Sequence, residues 1–139
     1  MSRRHDVSPE TIGAAAAWEV ASCTERKCLS LRIRGFFSET DVHAFARTVG
    51  NHIRAMRPLP PTGHVSVCDA SGIVIQSQAA VAAFSAMLRN PTARSRRLAF
   101  VSDSALARIQ IRRLSGREDI AFFDTVEQAE AWATAPDTP

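Results

Sequence analysis

Apolar and polar positions along this chain change period several times, and each change marks an element. From Ala16 to Cys23 the chain is short and apolar-biased, and from Cys28 to Ile33 it alternates. Cys28, Ser30 and Arg32 fall on one side of the second segment, and Leu29, Leu31 and Ile33 on the other. Thr24 to Lys27 between them is a polar turn, so the pair reads as an antiparallel hairpin closed off by Gly35. At Ser38 the period lengthens. Ser38 is suited to cap free backbone N–H groups, and Glu39 and Asp41 suit the positive end of a helix dipole. Val42, Phe45, Ala46, Val49, Ile53 and Met56 follow at steps of three and four, an apolar helical stripe. Pro58, Pro60, Pro61 and Gly63 stop that helix.

Three strand–helix units come next. His64 to Asp69 predicts a central strand broken by Ser71 and Gly72, with Ile73 to Ile75 as an apolar link. Gln76 or Ser77 then starts a second helix, whose expected buried stripe is Val81, Phe84, Met87 and Leu88, ended by Asn90 and Pro91. Arg97 to Ser102 is the next strand. Its apolar run from Leu98 to Val101 is nearly continuous, as a strand covered on both faces requires. Asp103 and Ser104 open a third helix through Leu106, Ile109 and Leu114 that closes near Gly116. Ile109 and Ile111 also fit a strand alternation there. Ile120 to Phe123 is the last strand. Thr125 to Gln128 has the capping-box pattern, with Val126, Ala129, Trp132 and Ala133 as the stripe of a last helix. Strands alternating with helices force right-handed crossovers and a mostly parallel sheet, with the first hairpin strand as the antiparallel element. The expected fold is therefore α/β, with about five strands and four helices. Residues 1–12 read as a flexible N-terminal arm, 13–135 as a single domain and 136–139 as a tail.

Composition narrows the function classes. The 139 residues are 45% hydrophobic and 22% charged, both values of a globular chain that needs no disulfide or metal to fold. The longest apolar runs are too short to span a bilayer, and the basic N-terminus lacks the apolar stretch of a secretory signal. Cys23, Cys28 and Cys68 are odd in number and match no framework or C-x2-C spacing. They read as free thiols of a cytoplasmic protein, and no metal or cofactor is expected. The net charge is +3, nearly all from arginine. The basic stretches lack interleaved aromatic residues, so nucleic acid is not an expected partner.

Three stretches together resemble the STAS domains, the sulfate-transporter and anti-sigma-factor-antagonist group, and among them the stand-alone bacterial STAS/SEC14-like branch. They are Leu29 to Gly35 (LSLRIRG), Val65 to Gly72 (VSVCDASG), and Arg97 to Asp103 (RLAFVSD) paired with Ile120 to Trp132 (IAFFDTVEQAEAW). The similarity covers about residues 16–134. It implies a non-enzymatic binding or regulatory module that acts through a protein partner. In the antagonists a serine at the start of the second helix accepts a phosphate. This chain departs from that pattern, with Gln78 at the phosphoserine position and Ala79 and Ala80 after it. A one-residue slip offers Ser77 instead.

In open α/β sheets, ligands favour the loops beyond the strand carboxyl ends. That places Asp69, Ala70, Ser71, Ser77, Gln78, Asp103 and Ser104 on one rim, where helix N-termini suit an anion or a partner contact. Plain capping and turn chemistry explains the same residues. Asp69 and Asp103 are the one carboxylate pair for acid–base work, unaccompanied by a histidine. Cys68, on a buried strand, reads as packing. His43 and His52 are nine apart and form no helical metal pair. Arg108 and Arg112 are i, i+4 neighbours on one basic face, which would meet an acidic partner or anionic headgroups, or simply water. A small hydrophobic or anionic ligand is the alternative to a protein partner, although the apolar residues look consumed by an ordinary core. Homodimerisation is left open.

Overall fold

The computed structural model describes residues 15–74 and 76–136. The expected N-terminal arm, most of the tail and Ile75 lie outside the described residues. Strands β1 (Ala17–Cys23) and β2 (Cys28–Gly35) form the antiparallel hairpin, in register from Ala17 opposite Arg34 to Cys23 opposite Cys28. Helix α1 (Glu39–Ala55), strand β3 (Val65–Ile73), helix α2 (Gln78–Leu88), strand β4 (Arg97–Val101), helix α3 (Ala105–Ser115), strand β5 (Ala121–Phe123) and helix α4 (Val126–Ala133) follow. The sheet order is β1-β2-β3-β4-β5, and every pair after the first is parallel. Because successive crossovers step in one direction, right-handed connection puts α1, α2 and α3 side by side on one face. The last helix, α4, returns to pack on β3, β4 and β5 from the other.

The alternation inside each strand feeds both layers. Leu98 and Phe100 of β4 join Leu29, Ile33, Phe37, Val42, Phe45 and Phe84 under the three helices. Ala99 and Val101, one residue out of phase, join Val65, Val67, Ala129 and Ala133 under α4. The continuous apolar run read from the sequence is thus a strand buried on both faces. Phe37 is the hub of the larger layer: it is fully buried, with ring centroids 5.2 Å from Phe84 and 5.7 Å from Trp18.

The caps follow the expected chemistry. Ser38 and Asp41 make a reciprocal capping box at α1. At α4 the Thr125 hydroxyl accepts from the Gln128 N–H, while Gln128 Oε1 reaches past the cap to the Asp124 N–H, so the reciprocal half is displaced by one residue.

Three expectations are corrected. Ser71 and Gly72 do not break β3, which runs on to Ile73. Arg32 pairs with Asp69 but Arg34 pairs with Gly72, so β3 accommodates an extra residue as a bulge. Glycine is required there, since a Cβ at residue 72 would lie 2.7 Å from Arg34 Cγ. In α2, Val81, expected in the buried stripe, is 36% exposed, and the helix's buried residues are Ala80 and Phe84. In α3, Leu106 and Ile109 are 59% and 53% exposed, and Ser115 is the helix's one buried residue.

Candidate functional site

The carboxyl ends of β2, β3 and β4 open onto a rim built by the N-termini of α2 and α3. Ser77 caps α2, its hydroxyl accepting from the Ala80 N–H at 3.2 Å. Ser104 caps α3 by accepting from the Ala107 N–H at 3.1 Å, and its own N–H donates to Ser102 Oγ. Gln76, just before α2, ties the rim together. Its Oε1 accepts from the Phe37 N–H at 2.7 Å, and its Nε2 donates to the carbonyls of Gly35 and Val74. One side chain therefore staples the β3–α2 link to the β2–α1 link, and sets the position of both Phe37 and the α2 N-terminus.

Above this frame lies an open cavity of about 760 Å³ bordered by Phe36, Ser71, Val74, Asp103, Ser104 and Leu106. It runs into a groove of about 570 Å³ between α2 and α3, floored by Ile33, Phe84 and Phe100 and walled by Val81, Leu88 and Leu114. Ala70, Ile73, Val74, Ala107 and Gln110 border both, so the two form one trough. Its lining is mainly apolar, which corrects the expectation that the apolar residues are consumed by the core. Phe36, Val74, Val81 and Leu106 stand at its mouth, 44%, 43%, 36% and 59% exposed.

The structure brings Ser71, Asp103 and Ser104 to the cavity and Gln78 to the groove, while Ser77, the N-cap of α2, lines neither. Asp69 is turned to a different task. Its Oδ1 accepts from the Ser71 N–H at 3.0 Å and the Ser71 hydroxyl at 2.6 Å, and its other oxygen lies 3.9 Å from Arg32 Nε. It therefore acts as a turn-former beside the bulge and does not border the cavity with Asp103. Cys68 is buried packing: burial, with the neighbouring Asp69 charge, pushes its thiol up to about 12.

Arg108 and Arg112 share a face of α3, as their spacing requires, and both guanidinium groups lie over the Phe122 ring, at 5.6 and 5.2 Å from its centroid. Arg108 also donates to the Ser102 carbonyl and to Asp124 Oδ1, and Arg112 to the Glu118 carbonyl. Their positive charge is thus spent largely on fastening α3 to β5. Among the described residues, no three His, Cys, Asp or Glu side chains converge to hold a metal ion, and no helix is long and apolar enough to cross a membrane.

The sequence reading missed Gln76 and the four apolar residues at the mouth. Helical spacing located Val81 and Leu106 on apolar faces but could not show that they are exposed among the described residues. No local signal marks Gln76, because its partners Gly35 and Phe37 lie some 40 positions upstream.

No protein-family model and no curated protein sequence matches the chain. Solved structures do. The chain is similar to a Shewanella loihica PV-4 protein of the DUF3478 family with a SpoIIAA-like fold, at a TM-score of 0.67 and 13% identity, over 91% of this chain and 99% of that one. It is also similar to an anti-sigma factor antagonist from Mycobacterium paratuberculosis, at a TM-score of 0.59 and 12% identity, over 91% of this chain and 97% of that one. The fold is therefore the SpoIIAA-like, STAS-type α/β fold, as the three stretches of sequence implied.

Proposed function

We propose that this chain is a non-enzymatic, regulatory binding module that docks a protein partner at the mouth of the trough. The observation that carries the reading is the set of exposed apolar side chains there, Phe36, Val74, Val81 and Leu106. Exposed apolar residues scattered singly need no explanation, but a group gathered around one groove marks an interaction surface. Fully burying a side chain of this size contributes roughly 1.5–3 kcal/mol, so covering four that are partly exposed contributes several kcal/mol toward association. The likeness of fold to an anti-sigma factor antagonist agrees with a role in binding another protein. Ser77 is the hydroxyl a kinase would meet at the start of α2. A phosphate there would add about −1.5 to −2 charge beside free helix N–H groups and so alter the same surface.

The test is a double substitution, Val81→Asp with Leu106→Asp. Both positions are exposed, so the fold is expected to tolerate them. The reading predicts proteins retained from the native lysate by the wild-type chain and lost by the double variant. Identical retained sets would overturn it. A second reading is favoured by the volume of the groove: about 570 Å³ lies within the range of small-molecule sites, so an apolar metabolite or lipid is its alternative occupant. Native mass spectrometry of the protein purified from its own cells distinguishes the two. A bound small molecule displaced by enlarging a groove residue (Ala82→Phe) would favour the carrier reading.

A further inference from the structure

Away from the rim, at the closed end of the first hairpin, two of the three cysteines face each other. β1 ends at Cys23 and β2 begins at Cys28, and the register sets these residues directly opposite. Residues so paired project to the same face of the sheet. Opposed Cα atoms in an antiparallel pair are about 4.5 or 5.5 Å apart, and both separations lie inside the ~4.4–6.8 Å that a disulfide spans. The Cβ atoms of such a pair, about 4.5–5.5 Å apart, must approach by up to ~1 Å. Edge strand β1 can yield that much, since Cys23 is its last paired residue. Both thiols are free.

The two sulfurs differ in the way an attacking and a resolving thiol differ. Cys23 is half-exposed, and hydrogen bonds from the Arg26 backbone and side chain hold its pKa below the ordinary thiol value. Cys28 is buried beside Val65 and Val67, and burial pushes its thiol up. Cys68 projects into the other core layer, under α1, α2 and α3.

We propose that Cys23 and Cys28 are a thiol–disulfide pair that reacts with hydroperoxides. The Cys23 thiolate attacks the peroxide: an S–O bond forms, the O–O bond breaks, and the departing oxygen takes up a proton as water or alcohol. Cys23 is then a sulfenic acid. The Cys28 thiol attacks that sulfur, an S–S bond forms, the S–O bond breaks, and the departing hydroxide leaves as water with the Cys28 proton. Two thiols give up two electrons to become one disulfide, and the peroxide accepts both. The bond would fix the end of β1 to β2 beside Lys27, whose ammonium donates to the Met56 carbonyl at the end of α1.

The test treats the purified protein with one equivalent of hydrogen peroxide, alkylates free thiols and maps the peptides. The expected product links Cys23 to Cys28 within one chain, is reversed by dithiothreitol, and leaves Cys68 reduced. In Cys23→Ser, Cys28 stays reduced. In Cys28→Ser, Cys23 stops at a sulfenic acid that dimedone captures. Cys28 is buried, so that variant is read only if its circular dichroism matches wild type, whereas Cys23→Ser carries the test in either case. Wild-type Cys23 left unreacted, oxidised to sulfinic acid beside a reduced Cys28, or joined to Cys23 of a second copy would overturn the proposal.

Discussion

Replacing Gln76 with alanine removes the staple that positions the rim. Three hydrogen bonds are lost, and they are not equivalent. The Val74 carbonyl is on an exposed residue, where water can replace the amide, whereas Gly35 is buried at the end of β2. The Phe37 N–H belongs to a residue that is fully buried, so it loses its acceptor where water enters poorly. An unsatisfied buried donor costs about 1–3 kcal/mol, and the two carbonyls add less, since under-satisfied carbonyls are better tolerated and water reaches Val74. A total of about 2 kcal/mol follows. The unfolding entropy near 60 °C is about 2.1 cal/mol/K per residue, so a chain of 139 residues has about 0.29 kcal/mol/K. The expected loss is therefore about 7 °C in Tm, read by circular dichroism or calorimetry. Gln76→Glu sharpens the test. Its ionised carboxylate can accept from Phe37 but faces two carbonyl oxygens to which only a protonated acid can donate. The folded-state pKa of that acid is thus raised, and its penalty, present above that pKa, is lost as pH falls through it. Stability of Gln76→Glu relative to wild type should recover between about pH 7 and 4. A Gln76→Ala variant melting within a degree of wild type would refute the staple.

Two further predictions concern buried charge. His64 is buried, donates or accepts through Nε2 at Ser95 Oγ, and has its pKa lowered by burial. The unfolded chain therefore binds a proton first, so stability should fall as pH drops below about 6.5, the ordinary histidine value, and be unaffected by this group above it; urea midpoints from pH 8 to 5 should show the slope, and His64→Gln should flatten it. Arg117 is buried with its guanidinium paired through two bonds of 2.9 and 3.0 Å to Asp119, whose carboxyl that arginine holds below the usual range. This contribution is present above about pH 3.9 and lost as pH falls through the lower folded-state value. Asp119→Ala strands the buried cation and should cost about 1–3 kcal/mol in denaturant titration, discounted because Asp119 itself is largely exposed.

The parts of this molecule that were legible in its sequence are those set by local periodicity. The hairpin, the order of strands and helices, and the caps at Ser38, Ser77, Ser104 and Thr125 all follow from spacing and cap chemistry within a few residues. What escaped depends on contacts between distant segments. Ser71 and Gly72 look like a strand break, yet Gly72 is the residue whose missing side chain lets β3 pass Arg34. Leu106 and Ile109 have the spacing of a core stripe, but α3 is the outermost of three helices in a row and, among the described residues, both side chains are exposed. Arg117 lies beyond α3 and is buried against Asp119, a pairing that no helical spacing marks. The candidate rim was locatable from strand–helix order alone; its apolar character was not.

The most direct test of the docking surface is site-specific photo-crosslinking in the protein's own cells. A photoreactive residue at Leu106 or Val74 is compared with one at Glu19, which is exposed on β1 at the far edge of the sheet. The account predicts that one discrete protein adduct forms from Leu106 and from Val74, and not from Glu19. Adducts of equal yield at all three positions, or at Glu19 alone, would contradict it.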